Sequence, residues 1–484
     1  MRRLFLALLL CAPPVRAYNE AVHARITRDV FPSEGALLQP PSQADLDAFR
    51  SLFWRTASAD PEFARRYPSE AGFGAWEFKE FLMLDPAARV HGFDRTPDDD
   101  APLSRGQLLE RASRWPDDDE RNRHRYLRDL KTHEVAKAQD GSPVPYDPAT
   151  LDFGSLTGST SQGHAHYGLV DGPLSDDPEV LKKEPARFAV PPTAHAWGAE
   201  FAQLYTDLAL LAANSGLPSA QWLSATFAGA AFHHIQDVAN QIHTVQVGIY
   251  EFFESAFVQS KLRDVKTLGG LLGERRSLKQ VGLRLIANHH LFSEDLFAKH
   301  LAAIGRDPSF DALAETKIAA AQGQIGLGLA KALIALSSRE APEVYRLAWD
   351  FSAKSLRDGV SGHEYDGAKD DPDDFLDQSK EQALERFYAL ESRGTARAAE
   401  ALVLWQRLFD REHERTTTAL LRQHAVERSL ALLLPYHAQA AQRRASAQPA
   451  SPEGAGIAWG YPVAATALLA GIAALIRSRL SKRS

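Results

Sequence analysis

Residues 232–246 read FHHIQDVANQIHTVQ, and this stretch decides the fold and the site that the rest of the chain is expected to build. His233, Asp237 and His243 are separated by four and six positions. On one helix with about 100° per residue, Asp237 lies about 40° to one side of His233 and His243 about 80° to the other. A single buried histidine more often satisfies a neighbouring polar group. Three ligand-type residues at this spacing instead predict a metal site.

A second stretch, residues 288–294, repeats this arrangement in the sequence NHHLFSE. His290 and Glu294 are four positions apart within a predicted helix, so an imidazole and a carboxylate share one face. Such a pair suits zinc or a similar borderline cation. An exposed His/Glu pair on a solvated helix has the same spacing. The pair therefore indicates a metal site only in combination with the first stretch. We interpret His234 and His289 as packing or outer-shell residues.

The amino-terminal end has the features of a secretory signal peptide. Residues 1–17, MRRLFLALLLCAPPVRA, combine basic residues, an apolar run and a small residue at the end. This pattern predicts cleavage before Tyr18. The segment contains Cys11, the chain's single cysteine. Any metal in the mature protein must therefore be held by His, Asp, Glu or backbone groups.

The carboxyl-terminal end is expected to anchor the protein in a membrane. Residues 457–476 are uncharged and largely apolar, and the tail 477–484 carries Arg and Lys. A helix of about 20 such residues spans a bilayer core, and the basic tail should remain cytoplasmic. Residues 439–456, rich in Ala, Gln, Ser and Pro, predict a flexible linker. The body, residues 18–438, would then face the periplasm or the cell exterior.

The body is predicted to be all-α, a multi-helix bundle with long loops in its N-terminal part. Apolar residues recur at three and four positions from Ala194 onward, which predicts helices over 195–214, 218–243, 276–303, 311–337, 341–356, 379–411 and 413–442. The whole chain has a formal charge of −7, although both ends are basic. An acidic body argues against a stable nucleic-acid complex, which requires a basic surface.

Two places before residue 192 carry further ligand-type groups. His23 follows the predicted new N-terminus by five positions, and an α-amino group with its own carbonyl can chelate a metal. Acids and histidines occur again at residues 115–119, WPDDD, and at residues 163–167, GHAHY. Taken alone, each of these groups is compatible with ordinary surface polarity.

Taken together, these motifs resemble those of the zinc-dependent phospholipase C family and of the single-strand nucleases that share its all-helical fold. The spacing of His233, Asp237 and His243 matches the family's, and His290 with Glu294 resembles the pair that follows it. Tyr18 and His23 are placed like the family's N-terminal residue and the histidine five positions later. The resemblance covers the ligand segments and the helical core, but the intervals before His166 and before His290 are longer than in the family.

The resemblance implies three zinc ions. The first would be held by Asp117, His166, His233 and Asp237. The second would be held by His243, His290 and Glu294, with Asp117 nearby. The third would be held by the Tyr18 amine and carbonyl, His23 and a bridging Asp237. For the early acid, Asp118 and Asp60 remain alternatives to Asp117; for the early histidine, His164 and His124 remain alternatives to His166.

The expected function is therefore that of an exported zinc-dependent phosphodiester hydrolase. Clustered cations activate water and neutralise phosphodiester oxygens, and the resemblance makes Asp117 the candidate general base. A membrane-tethered body favours a phospholipid substrate and a phospholipase C-like reaction. The alternatives are a single-strand nuclease, which could stack bases on Trp115, Tyr167 or Trp197, and a zinc-binding surface protein without catalysis.

Overall fold

The computed structural model describes residues 20–75, 78, 81–82, 101–116, 141, 166–168, 196–244, 278–307, 309–357, 362–363, 365–367, 369–415 and 426–435. The chain divides into two compact units, Met1–Arg443 and Arg444–Ser484, and all described residues belong to the first. The described part is mostly helical, which agrees with the all-α prediction. Its helices are α1 Glu20–Val30, α2 Gln43–Ala57, α3 Pro61–Arg66, α4 Arg105–Arg114, α5 Gly198–Ala213, α6 Ala220–Asp237, α7 Leu278–Lys299, α8 Phe310–Ala320, α9 Ile325–Phe351, α10 Lys354–Arg357 and α11 Glu381–Arg415, with a further helix over 426–435.

Helices also form where long N-terminal loops were expected. Helices α1 to α4 lie in this part, together with a two-stranded antiparallel ladder of Leu37–Leu38 and Leu103–Ser104. Local sequence explains their starts: Ser42 and Ser104 each form a capping box at the first turn of a helix, and Asp60 caps α3. The prediction of long loops is therefore wrong for the described residues of this region.

Helices α5 and α6 form the centre of the molecule. Nearly every residue of both is buried, as expected for helices that are apolar on all sides. They pack against each other, α4 packs on α6, and α9 packs on α5 and α11. Gly229 permits the close approach of α4, because a Cβ atom there would lie 2.4 Å from the Cβ of Ala112. The ligand-bearing end of α6 is thus enclosed by other helices.

Several predicted helix boundaries differ from the observed ones. The helix expected over 218–243 ends at Asp237, and the chain turns before residues 242–244 become helical again. The helix expected over 311–337 is interrupted at Gln322 and Gly323, which both have positive φ. Helix α9 then runs without a break through residues 338–340, where a boundary between two helices was expected, and through Pro342.

The predicted termini lie outside the described residues. This holds for the signal peptide 1–17, the linker 439–456, the membrane helix 457–476 and the tail 477–484. Within the described ranges, no helix combines the length and the apolar character needed to cross a bilayer.

Candidate metal centre

The first group of metal-ligand side chains lies at the end of α6. His233 and Asp237 are one turn apart on the same face, and His233 Nε2 lies 3.0 Å from Asp237 Oδ2. His166 Nδ1 completes a triangle, 2.7 Å from Asp237 Oδ2 and 2.8 Å from His233 Nε2. Ligand atoms around a tetrahedral zinc are about 3.3 Å apart, given metal–ligand distances of about 2.0–2.1 Å. The triangle is close to the size that one ion requires.

His166 is held in this triangle by the two residues that follow it. The Tyr167 carbonyl accepts a hydrogen bond from the backbone N–H of Gly198 at 3.0 Å, and the Gly168 N–H donates to the His243 carbonyl at 3.2 Å. Gly168 is required by space, because a Cβ there would lie 2.4 Å from Ile334 Cγ1. The segment 166–168 is thereby fixed to the start of α5, to α9 and to the turn after α6.

The second group consists of His243, His290 and Glu294. Glu294 Oε1 lies 3.0 Å from Nε2 of both histidines, whose rings stack with centroids 5.1 Å apart. Asn240 holds the turn that carries His243, since its Oδ1 accepts a hydrogen bond from the N–H of Ile242 at 3.0 Å. Its Nδ2 donates to Glu294 Oε1 at 3.4 Å. The turn after α6, rather than a continuous helix, therefore brings His243 to α7.

Asp237 lies between the two groups. Its Oδ2 faces His166 and His233, whereas its Oδ1 lies 3.3 Å from His23 Nε2 and 3.9 Å from His243 Nδ1. One carboxylate thus faces imidazoles that come from α1, α6, segment 166–168 and the turn. This position is the one that a bridging carboxylate would occupy.

Neighbouring groups determine which histidine nitrogens face inward. The Ser113 carbonyl accepts a hydrogen bond from His233 Nδ1 at 2.9 Å, which leaves Nε2 as the ligand atom. Gln236 Nε2 donates to Thr27 Oγ1 at 2.9 Å, and Gln236 Oε1 accepts from His23 Nδ1. Outer acceptors of this kind orient histidine ligands in metal sites.

The electrostatics of the cluster suit cations. Burial raises the pKa of Asp237, but the positive charge available on His233 and His166 outweighs it and holds the net pKa well below the usual range. Burial also holds the pKa values of His243 and His234 well below normal, so both imidazoles are neutral near pH 7. Neutral imidazole and ionised carboxylate are the forms that bind metals.

The burial of the cluster provides a test of fit. The ligand-type residues within the described ranges are each 3% exposed or less: His23, His166, His233, Asp237, His243, His290 and Glu294. Buried carboxylates are costly unless they are paired or bind a metal. The two groups of buried histidines and carboxylates can hold metal ions. The donor set contains nitrogen and oxygen only.

Seven of the nine predicted ligands are therefore brought together, and two fall outside the described residues. Those two are Tyr18 and Asp117; the alternatives Asp118, His124 and His164 also lie outside. The remaining alternative, Asp60, accepts hydrogen bonds from the N–H groups of Glu62 and Phe63, both at 2.9 Å, as the cap of α3. This capping role accounts for Asp60 without a metal.

His234 is the residue whose position sequence reasoning missed. One of its ring nitrogens lies within 4.8 Å of the ligand atoms of His166, His233 and Asp237. From the sequence alone, it is interpreted as a packing or outer-shell residue. His289, interpreted in the same way, stacks on Trp349 with ring centroids 4.6 Å apart.

Comparison of the chain with protein-family models, with curated proteins and with solved structures finds no match.

Proposed function

We propose that the protein is an exported, zinc-dependent phosphodiester hydrolase, with a phospholipase C-like reaction on phospholipid as the first choice. One observation carries the proposal: two buried groups of ligand-type side chains lie side by side, and Asp237 faces both. The spacing of these ligands along the sequence, which resembles that of the zinc-dependent phospholipase C family, supports the choice of reaction.

The donor chemistry supports zinc as the metal. Histidine nitrogen with one or two carboxylate oxygens is the usual ligand set of catalytic zinc sites. The second group, with two imidazoles and Glu294, offers three protein ligands and so leaves a coordination position for water or substrate. By the resemblance, a third ion would use His23, Asp237 and the amino terminus of Tyr18.

Bound zinc ions would lower the pKa of a coordinated water and neutralise the oxygens of a phosphodiester as charge develops in the transition state. The protein residues hold this centre rigid. Asp237 holds the two groups at a fixed separation, while Ser113 and Gln236 fix the orientation of His233 and His23. Asp117 remains our candidate for the general base that orients or deprotonates the water.

The location and substrate follow from the two ends of the chain. A cleaved signal peptide and a C-terminal membrane helix would hold the site next to lipid head groups. The nuclease alternative requires exposed aromatic side chains for base stacking. Two of its candidates, Trp115 and Tyr167, are buried, with 5% and 2% of their surface exposed. We therefore rank lipid above nucleic acid as the substrate.

The test is hydrolysis by the purified, zinc-loaded protein with two substrates, phosphatidylcholine vesicles and single-stranded DNA. We expect release of phosphocholine, its loss on chelation and its recovery on addition of zinc. Asp237→Asn should abolish the reaction. The matched control is Asp350→Asn, which removes an exposed carboxylate paired with Arg346 and should leave the rate unchanged.

Each other outcome selects an alternative. Cleavage of DNA alone would support the nuclease. Bound zinc without hydrolysis of either substrate would support a non-catalytic zinc-binding surface protein. Phosphocholine release that survives both chelation and Asp237→Asn would overturn the proposed mechanism.

A further inference from the structure

The first group contains one more imidazole than the sequence resemblance provides. His234 directly follows His233 in the last turn of α6, and it is 2% exposed. Its ring nitrogen is among four ligand atoms, together with those of His166, His233 and Asp237, that all lie within 4.8 Å of one another. The second group has three such residues. The two groups therefore differ in the number of protein ligands that they can offer.

The surroundings of His234 fix its ring beside the site. The imidazole stacks on Tyr205, with centroids 5.4 Å apart and planes inclined by 9°, and on Phe201 at 5.5 Å. On its other side it lies 5.2 Å from the ring of His166. These ring contacts hold the imidazole beside the site.

One nitrogen of this ring also has an unmet hydrogen-bonding capacity. His234 Nδ1 is buried and has no hydrogen-bond partner among the residues that the structure describes. A buried polar atom in this state destabilises the fold, and most such atoms are paired. Packing on Tyr205 and Phe201 would be served equally well by phenylalanine, so it does not explain an imidazole here.

We propose that His234, in place of the Asp117 that the resemblance suggests, is the fourth protein ligand of the first group, which makes this group a closed, structural metal site. The inference rests on the metal binding proposed above. Zinc sites with four protein ligands are structural, whereas those with three keep a position for water or substrate. Catalysis is thereby assigned to the second group, His243, His290 and Glu294, with the first group holding the end of α6 in place.

The test compares His234→Phe with a matched variant, His289→Phe. Both histidines are 2% exposed, both stack on an aromatic ring and both adjoin a predicted ligand in sequence. Zinc is titrated by competition with a chromophoric chelator, and circular dichroism checks the fold. We expect His234→Phe to lower the affinity for one equivalent of zinc by at least about 100-fold. Loss of an outer-shell partner lowers metal affinity by less than this. His289→Phe should retain the wild-type affinity.

A second measurement uses the wild-type protein and does not depend on any variant folding. With cobalt in place of zinc, the closed site should give a visible absorption band that added inorganic phosphate leaves unchanged. The open site should give a band that phosphate shifts. A spectrum without any phosphate-insensitive band, or equal zinc affinity in His234→Phe and the wild type, would overturn the role of His234. Absence of any bound metal in the wild type would instead overturn the proposed function itself.

Discussion

Substitution of Gly168 by alanine should disturb the metal centre without touching a ligand. The added Cβ would lie 2.4 Å from Ile334 Cγ1, 2.5 Å from Ile334 Cδ1 and 3.2 Å from Val238 Cγ1. Carbon atoms in contact are normally about 3.5–4.0 Å apart, so the segment 166–168 or α9 must shift by about 1 Å. Overpacking of this kind costs about 1–3 kcal/mol. His166, two positions away, should move with the segment and bind metal more weakly.

The assay combines urea unfolding with a zinc titration against a chelator. We expect the free energy of unfolding to fall by about 2 kcal/mol and the zinc affinity of the first group to fall by about 10-fold or more. Gly305→Ala is the control, because a Cβ at Gly305 meets no atom within 4 Å. Adding Ile334→Ala to Gly168→Ala should make space for the new Cβ atom. The double variant should therefore lose less unfolding free energy than the two single variants lose in sum. Equal behaviour of Gly168→Ala and Gly305→Ala would refute the argument that the segment positions His166.

Two other substitutions test a buried carboxylate of the core and an orienting group of the site. Burial raises the pKa of Asp207 to about 7, opposed by a hydrogen bond from Ser429. Folding therefore favours the protonated form of Asp207. The stability that this provides is fully present below pH 3.8 and is lost as the pH rises through 7. Between pH 5 and 8 the free energy of unfolding should fall by about 2.5 kcal/mol more in the wild type than in Asp207→Asn. Equal falls in the two proteins, measured by urea unfolding, would contradict this. Gln236→Leu removes the acceptor that orients His23 and should weaken zinc binding by about 10–100-fold, with recovery in Gln236→Glu; unchanged affinity in a chelator titration would argue against the orienting role.

Sequence periodicity predicted the helical class and the two central helices because these helices are long and apolar. It failed at boundaries that tertiary contacts decide. The stretch after Asp237 carries no Gly or Pro to mark the end of α6, and the turn depends on Asn240 contacts with Ile242 and with Glu294 of α7. A boundary between two helices was expected at residues 338–340, yet α9 continues through it and through Pro342 within a packed core.

The site was predictable only where its residues are close in sequence. The pair His233 and Asp237, like the pair His290 and Glu294, follows from helical spacing. No local rule brings His166 or His23 to Asp237; their selection depended on the family resemblance, and packing of α1 and segment 166–168 provides the contact. Helical spacing likewise does not show how close His234 lies to His166, because the position of His166 depends on packing from outside the helix.

The most direct test of this account is the metal content of the purified protein, measured by inductively coupled plasma mass spectrometry after zinc loading and dialysis. We expect about three zinc ions per chain, two of them in the two groups that Asp237 faces, and a joint loss of metal in Asp237→Asn. A protein that folds, as judged by circular dichroism, but retains no zinc or other divalent metal would contradict the central claim.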